Sequence, residues 1–317
     1  MGKVMSVCIS EVRGTKKKQI EKAMLVKDWG IEGDAHAGSW HRAVSLLSYE
    51  KYEAAQKRFA EAGFKALQPG DFAENIMVSG IDFAKLPVGI RFHCGSTVLR
   101  MTQIGKECHA DCEIRRLTGD CIMPREGVFA VVEQGGEIRP GDEFGILPTV
   151  AVITVSDSGA KGEREDKAGP VIVEAMERMG YYVGETHLVS DDRQPLADLM
   201  AQIADENRAQ LILTTGGTGF SPRDTTPEAT TDIAERMVSG IPEAMRAYSM
   251  RITPRGMLSR GTAALRKSTL IINLPGSPKA VRENLEAVTP ALTHGIEILV
   301  GAASNCAVSE EEKEKAK

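Results

Sequence analysis

The chain has 317 residues, 42% hydrophobic and 26% charged, a length for two domains and a composition that excludes wholesale disorder. Up to residue 147 there are 20 Lys+Arg against 20 Asp+Glu, and beyond it 19 against 24, so no one-sign basic stripe marks a nucleic-acid partner. No apolar run approaches the ~18 residues of a membrane span, and the apolar part of residues 1–10 is too short for a secretory signal, so a cytoplasmic location with no membrane partner is expected.

The first elements are short β-type runs. VMSVCIS, AVSLLS, STVLRMTQI and GVFAVV are separated by Gly-rich turns, with one helical stretch over 48–63, which predicts a mostly-β, barrel-like domain over 1–148. After the Gly and Pro turns of 141–149, strands and helices alternate. The strands are VAVITVS, YVGETHLVS, AQLILTTGG and TLIINLPGS; helices are expected over 169–179, 195–206, 227–236 and 278–299. This predicts an α/β domain over 149–304, a three-layer sandwich around a mainly parallel sheet. The tail over 305–317, ending SEEEKEKAK, reads as a solvated charge run.

Four loops follow predicted strands and so should emerge at one carboxyl edge, where open α/β sheets bind ligands. They hold Ser156-Asp157-Ser158, Ser190-Asp191-Asp192, residues 214–224, and residues 274–277 with Pro275, Gly276 and Ser277. In TTGGTGFSPRDTTPE, Gly216, Gly217 and Gly219 permit converging backbone N–H groups, and Thr215 and Thr218 add hydroxyls, a pattern suited to phosphate. Thr226 is expected to cap a helix with Pro227 at its first position; Ser277 and Pro278 repeat the device, with Lys279 as a counter-charge. Asp191, Asp192 and Asp224 beside phosphate loops suggest Mg²⁺ held by oxygen ligands.

In the first half, six cysteines in the whole chain are too few for a disulfide scaffold, yet Cys108, Cys112 and Cys121 lie within fourteen residues. With His109 they could form a zinc site, bury as small hydrophobes, or supply a reactive thiol favoured by Lys106, Arg115, Arg116 and Arg125. His36, His41 and Arg42 precede a strand, and Asp71, Glu74 and Asn75 sit in a turn-rich connector; their density suggests a ligand site.

From residue 150 to about 303 the chain resembles the molybdopterin adenylyltransferase family. TVSDS, EDKAGP, VSDD, TTGGTGFSPRDTTPEAT, IPEAMR and MLSRGTAALRKSTLIINLPGSPKA carry the likeness. The resemblance implies adenylyl transfer from MgATP to molybdopterin, with a homotrimer formed through this domain. By motif position it makes Asp191 and Asp224 the essential, metal-binding acidic residues. Gly216, Gly217, Thr218 and Gly219 would hold phosphates, and Ser259, Arg260 and Ser277 would line the site, although SRGTAALR lacks the glycine expected nearer its second alanine. Residues 2–147 resemble the MOSC domain through GIEGDAHAG, HRAVSLLS, PGDFAENI, TQIGKECH and GDCIMPREGVFA. That implies molybdenum-cofactor binding, with His36, His41, Arg42 and Asn75 as candidate contacts and sulfur handling at Cys108, with Cys112 and Cys121 as rivals. No pyridoxal phosphate site is expected, so sulfur would come from a cysteine desulfurase and the finished cofactor would pass to molybdoenzyme acceptors. A non-catalytic cofactor carrier is the competing reading.

Overall fold

The computed structural model describes residues 2–107 and 120–302, in two compact units, Met1–Leu147 and Pro148–Lys317. The first contains β1 (Gly2–Ile9), β2 (Lys18–Ile20), β3 (Ala23–Val26), β4 (Gly30–Ile31), β5 (Val44–Ser48), β6 (Ile76–Ser79), β7 (Arg91–Cys94), β8 (Thr97–Ile104), β9 (Val128–Gln134), β10 (Gly136–Ile138) and β11 (Glu143–Leu147).

Strands β11-β7-β8-β9-β5-β6-β1 form a ring, closed where β11 pairs with β1 at Gly2↔Phe144 and Lys3↔Glu143. The expected barrel is therefore present, and closure removes free strand edges from the ring. β5 and β6 pair in parallel; β3, β4 and β10 make a separate small sheet. The helix Tyr49–Glu61 buries Tyr52, Ala55 and Phe59, a stripe at helical spacing that packs on Leu47, Phe72 and Met77. Asn75 acts as a clasp: its Nδ2 donates to Cys8 O (3.0 Å), while its Oδ1 accepts from Ser45 N (3.0 Å) and Ser45 Oγ (2.9 Å). One side chain thus fastens β1, β5 and the start of β6.

The second unit contains β12 (Thr149–Val155), β13 (Tyr182–Val189), β14 (Leu211–Thr215), β15 (Arg236–Met237), β16 (Ala263–Arg266) and β17 (Thr269–Leu274), in sheet order β13-β12-β14-β17-β16-β15. β12, β14 and β17 are buried at every position, which is why they read as continuous apolar runs rather than alternating ones. Ala151, Ile153 and Val155 pack against Leu196, Ala197 and Met200 of the helix Arg193–Asp205. The helices Gly169–Arg178 and Pro278–Leu299 pack on β12 and β17 and on each other.

Pairings β13–β12, β12–β14 and β14–β17 are parallel; β17–β16 and β16–β15 are antiparallel. The two antiparallel edge strands were not among those expected, and the helix expected over 227–236 is shorter, Thr226–Asp232, because the chain turns there into β15. The helix Gly240–Met250 was not anticipated. Thr225, not Thr226, occupies the N-cap; Thr226 Oγ1 donates instead to Gly216 O (3.0 Å), tying this helix to the Gly loop.

Candidate functional site

The register Val155↔Val189, Thr154↔Thr215 and Thr215↔Leu274 brings the carboxyl ends of β13, β12, β14 and β17 side by side. The four loops predicted to share an edge do so. Gly216 has φ +102°, and a Cβ there would lie 2.2 Å from Val155 O; Gly217 has φ +62°, and its Cβ would lie 2.3 Å from Thr226 Oγ1. Only a residue without a side chain allows this approach. The loops enclose a cavity of about 250 Å³ lined by Ser156, Asp191, Thr215, Gly216, Gly217 and Asp224, among others.

The carboxylates around it are engaged in different ways. Asp157 and Asp191 exchange bonds: Asp157 N donates to Asp191 Oδ2 (2.9 Å) and Asp191 N donates to Asp157 Oδ1 (3.1 Å). Arg223 holds Asp157 through Nε to Oδ2 (3.0 Å) and Nη2 to Oδ1 (2.8 Å), and this guanidinium keeps the Asp157 carboxyl down at about 2. Asp191 moves the other way. Burial, with the negative Asp157 and Asp224 close by, pushes its carboxyl up from the ordinary value. Asp224 Oδ2 accepts from Ser221 N (2.8 Å), and a Cβ on Gly219 would come within 2.8 Å of the same oxygen. Asp191 and Asp224 therefore present negative oxygens to one cavity.

The barrel has its own cavity of about 240 Å³, lined by His36, Arg42, Asn75, Lys106 and Phe129. Arg42 lies over the Trp40 ring (5.1 Å) and the Phe129 ring (5.8 Å), and its Nε is buried without a hydrogen-bond partner. Beside His36, the buried Asp34 accepts from Ser10 N (3.0 Å) and pairs with the buried Lys17. Burial opposes the Asp34 charge, yet the bonds from His36 and Lys17 hold it well below the carboxylate range. Glu74, also fully buried, accepts from Gly70 N (2.6 Å) and Phe72 N (3.2 Å); burial pushes it up to about 7.

Residues 151–294 match the model of a probable molybdopterin binding domain, and residues 33–144 match that of the MOSC domain. A molybdopterin adenylyltransferase of Helicobacter pylori (strain J99) is 40% identical over 154 residues, covering 48% of this chain and 88% of that protein. The molybdopterin adenylyltransferase of Escherichia coli (strain K12) is 37% identical over 153 residues, 46% of this chain and 78% of that protein. The chain belongs to the molybdopterin adenylyltransferase family. A crystal structure of the molybdopterin biosynthesis enzyme MoaB from Thermus thermophilus is 44% identical, covers 49% of this chain and 98% of that one, and superposes with a TM-score of 0.47.

In the adenylyltransferase domain the fold brings Ser156, Asp191, Thr215, Gly216, Gly217, Asp224 and Gly276 to the cavity. Other predicted residues serve it indirectly. Ser156 Oγ accepts from Gly159 N (3.1 Å) as a helix cap, with Ser158 Oγ 3.3 Å away. Thr215 Oγ1 donates to Pro275 O (2.7 Å), and Ser277 Oγ accepts from Ala280 N (3.2 Å) as the predicted cap. Arg260 braces the Gly loop: its Nε donates to Gly219 O (2.7 Å), its N to Thr218 O (2.9 Å), and its Nη1 pairs with Glu228. Ser259 Oγ accepts from Gly261 N (3.4 Å). Lys279 is exposed and reaches Glu283 at 3.7 Å, away from the cavity lining.

In the MOSC domain His36, Arg42 and Asn75 meet at one cavity, but His41 faces a different one, where its ring nitrogen lies 3.1 Å from Gln103 Oε1. Asn75 fulfils its bonding within the barrel wall. Cys121 is buried in the core with Ile122, Met123 and Phe129. Cys108, His109 and Cys112 lie outside the described residues. Among the described residues no group of three or more His, Cys, Asp or Glu is placed to hold a metal ion, and no helix is long and apolar enough to cross a membrane.

Sequence reasoning passed over Arg223, Asp166, Arg164 and Lys167. Asp166 accepts from Thr154 Oγ1 (2.6 Å), Ala168 N (2.9 Å) and Gly169 N (3.0 Å), fixing a segment whose Arg164 and Lys167 line the cavity. The signal was the mixed-charge run EREDK directly before a helix start.

Proposed function

We propose that the domain over 149–304 transfers the adenylyl group of ATP to the phosphate of molybdopterin. A molybdopterin phosphate oxygen attacks the α-phosphorus, the bond from that phosphorus to the β-bridging oxygen breaks, and pyrophosphate leaves. The observation that carries this reading is the convergence of Asp191 and Asp224 with the bare backbone of Gly216 and Gly217 on one cavity, in a domain 40% identical over 154 residues to an enzyme of that name. The reaction brings anions together, so the protein's work is positioning and charge neutralisation rather than strong base catalysis.

Gly216 and Gly217 offer close backbone approach to phosphate oxygens, and Arg164 and Lys167 add positive charge at the rim. Asp191 and Asp224 fit Mg²⁺: their donors are all oxygen, and the burial and like charge that push Asp191 up are relieved by a cation. Bound there, Mg²⁺ supplies neutralisation of the nucleotide phosphates. The helices packed on β12 and β17 and against Ala151, Ile153 and Val155 support the three-layer reading of this domain, and the reading includes assembly as a homotrimer.

For the domain over 1–148 we propose molybdenum-cofactor binding at the cavity of His36, Arg42 and Lys106, where the unpartnered Arg42 Nε suits an anionic ligand. The reading extends to sulfur accepted at Cys108 from a cysteine desulfurase, with transfer to molybdoenzyme acceptors in the cytoplasm.

The deciding measurement is molybdopterin-dependent pyrophosphate release from MgATP by the whole chain. Wild type should release it, and Asp224→Asn should abolish release with an unchanged circular-dichroism melting curve. Full activity in that variant removes Asp224 from the mechanism. Molybdopterin bound by wild type with no pyrophosphate released makes the chain a carrier instead.

A further inference from the structure

A pocket for a triphosphate is ill served by surplus negative charge, yet Asp157, Asp191, Asp192 and Asp224 all stand at this sheet edge. Arg223 pairs with two of them at once. It grips both oxygens of Asp157, at 3.0 and 2.8 Å, and its Nη2 also donates to Asp192 Oδ1 at 3.0 Å. Ser190 Oγ donates to the other Asp192 oxygen (2.7 Å). Asp157 Oδ1 also takes the N–H of Asp191, while the N–H of Asp157 fixes Asp191 Oδ2. Asp191 Oδ1 is left beside Gly217, 3.1 Å from where a Cβ on that glycine would sit.

We propose that Arg223 is a positioning residue of adenylyl transfer: it neutralises Asp157 and Asp192 and, through Asp157, aims the Asp191 carboxylate, so that only Asp191 and Asp224 meet the cation and phosphates. The proposal rests on the adenylyltransferase reading. It differs from a role in which Arg223 leaves these carboxylates to grip the phosphates itself. A bidentate guanidinium suits the task, because a lysine can match the charge but not hold both oxygens of Asp157 in one plane.

The test uses the whole chain as wild type, Arg223→Gln, Arg223→Lys and the charge-balanced pair Arg223→Gln with Asp157→Asn. Mn²⁺ binding is read by electron paramagnetic resonance, metal-free binding of α,β-methylene-ATP by calorimetry, and turnover by pyrophosphate release. Arg223→Gln should bind Mn²⁺ about fivefold tighter and the nucleotide analogue about fivefold weaker, the scale of an exposed charge pair. Its kcat should fall by a larger factor than its KM for molybdopterin rises. Arg223→Lys should recover the analogue's affinity without kcat, and the charge-balanced pair should also recover the affinity.

Mn²⁺ and analogue affinities that fall together, or that both stay at wild-type values, overturn the proposal. So does a charge-balanced pair that fails to recover the analogue, which assigns Arg223 to the phosphates directly. If wild type binds both probes but releases no pyrophosphate, the adenylyltransferase reading fails while the opposite-signed binding shifts still decide the neutralising role of Arg223.

Discussion

Glu74 has no exposed surface, and burial raises its carboxyl from 4.5 to about 7 despite the backbone N–H donors around it. Between those values the folded chain holds a proton that the unfolded chain has released. The group's favourable share of stability is therefore complete below pH ~4.5 and is lost as pH rises through about 7, a loss on the order of 3 kcal/mol. Asp34 works in the opposite sense: its depressed carboxyl adds stability above its ordinary 3.8, lost only as pH falls below that value. The two windows do not overlap. Glu74→Gln cannot ionise, so its urea-unfolding free energy relative to wild type should climb between about pH 5 and 8. A difference that stays flat across that range means Glu74 does not titrate there. At this scale the edge position of Asp191 and Asp224 was legible in the sequence, because both lie in loops that follow predicted strands and such loops emerge at a sheet's carboxyl edge. Lys17 was not. It stands between Lys16 and Lys18 in a run that reads as surface charge, and only Asp34, brought close by the barrel, sets its 4% exposure apart.

Among the elements, the Gly loop between β14 and the helix Thr226–Asp232 separates two uses of glycine. Gly216 is needed for the fold, since its φ of +102° and the nearby Val155 O leave no room for a side chain. Gly219 lies outside the positive-φ region, and a methyl there would press on Asp224 Oδ2. Gly216→Ala is expected to cost about 1–3 kcal/mol in denaturant unfolding. Gly219→Ala should unfold within about 1 kcal/mol of wild type and yet lose most pyrophosphate release. Equal stability losses in both variants would refute this division. The long strands and the helix Pro278–Leu299 were legible from apolar runs and from the Ser-Pro start that the fold uses as a cap. β15 and β16 were not, because strands of two and four residues carry no periodicity and owe their pairing to β17. The Thr226 cap was misread for a related reason: its hydroxyl found a carbonyl ten residues away rather than its own helix's N–H.

For the whole molecule, two sets of motifs were readable because each occupies its own stretch of chain, and the two family models match separate residues, 33–144 and 151–294. The division of His36 and His41 between two cavities was hidden, since the two histidines stand five residues apart in sequence and Trp40 between them lines both cavities. The closure of the ring has a consequence in time. Its seam joins Gly2 to Phe144, nearly the full span of the first unit, whereas the widest pairing among β12, β14 and β17 joins residues about sixty apart. Distant pairings form after local ones, because the chain must first surrender the entropy of the intervening loop. Both tryptophans, Trp29 and Trp40, belong to the first unit. In stopped-flow refolding, their fluorescence should recover more slowly than Arg223-loop protection measured by pulsed hydrogen exchange, and a faster fluorescence phase would show that the seam is not the late step.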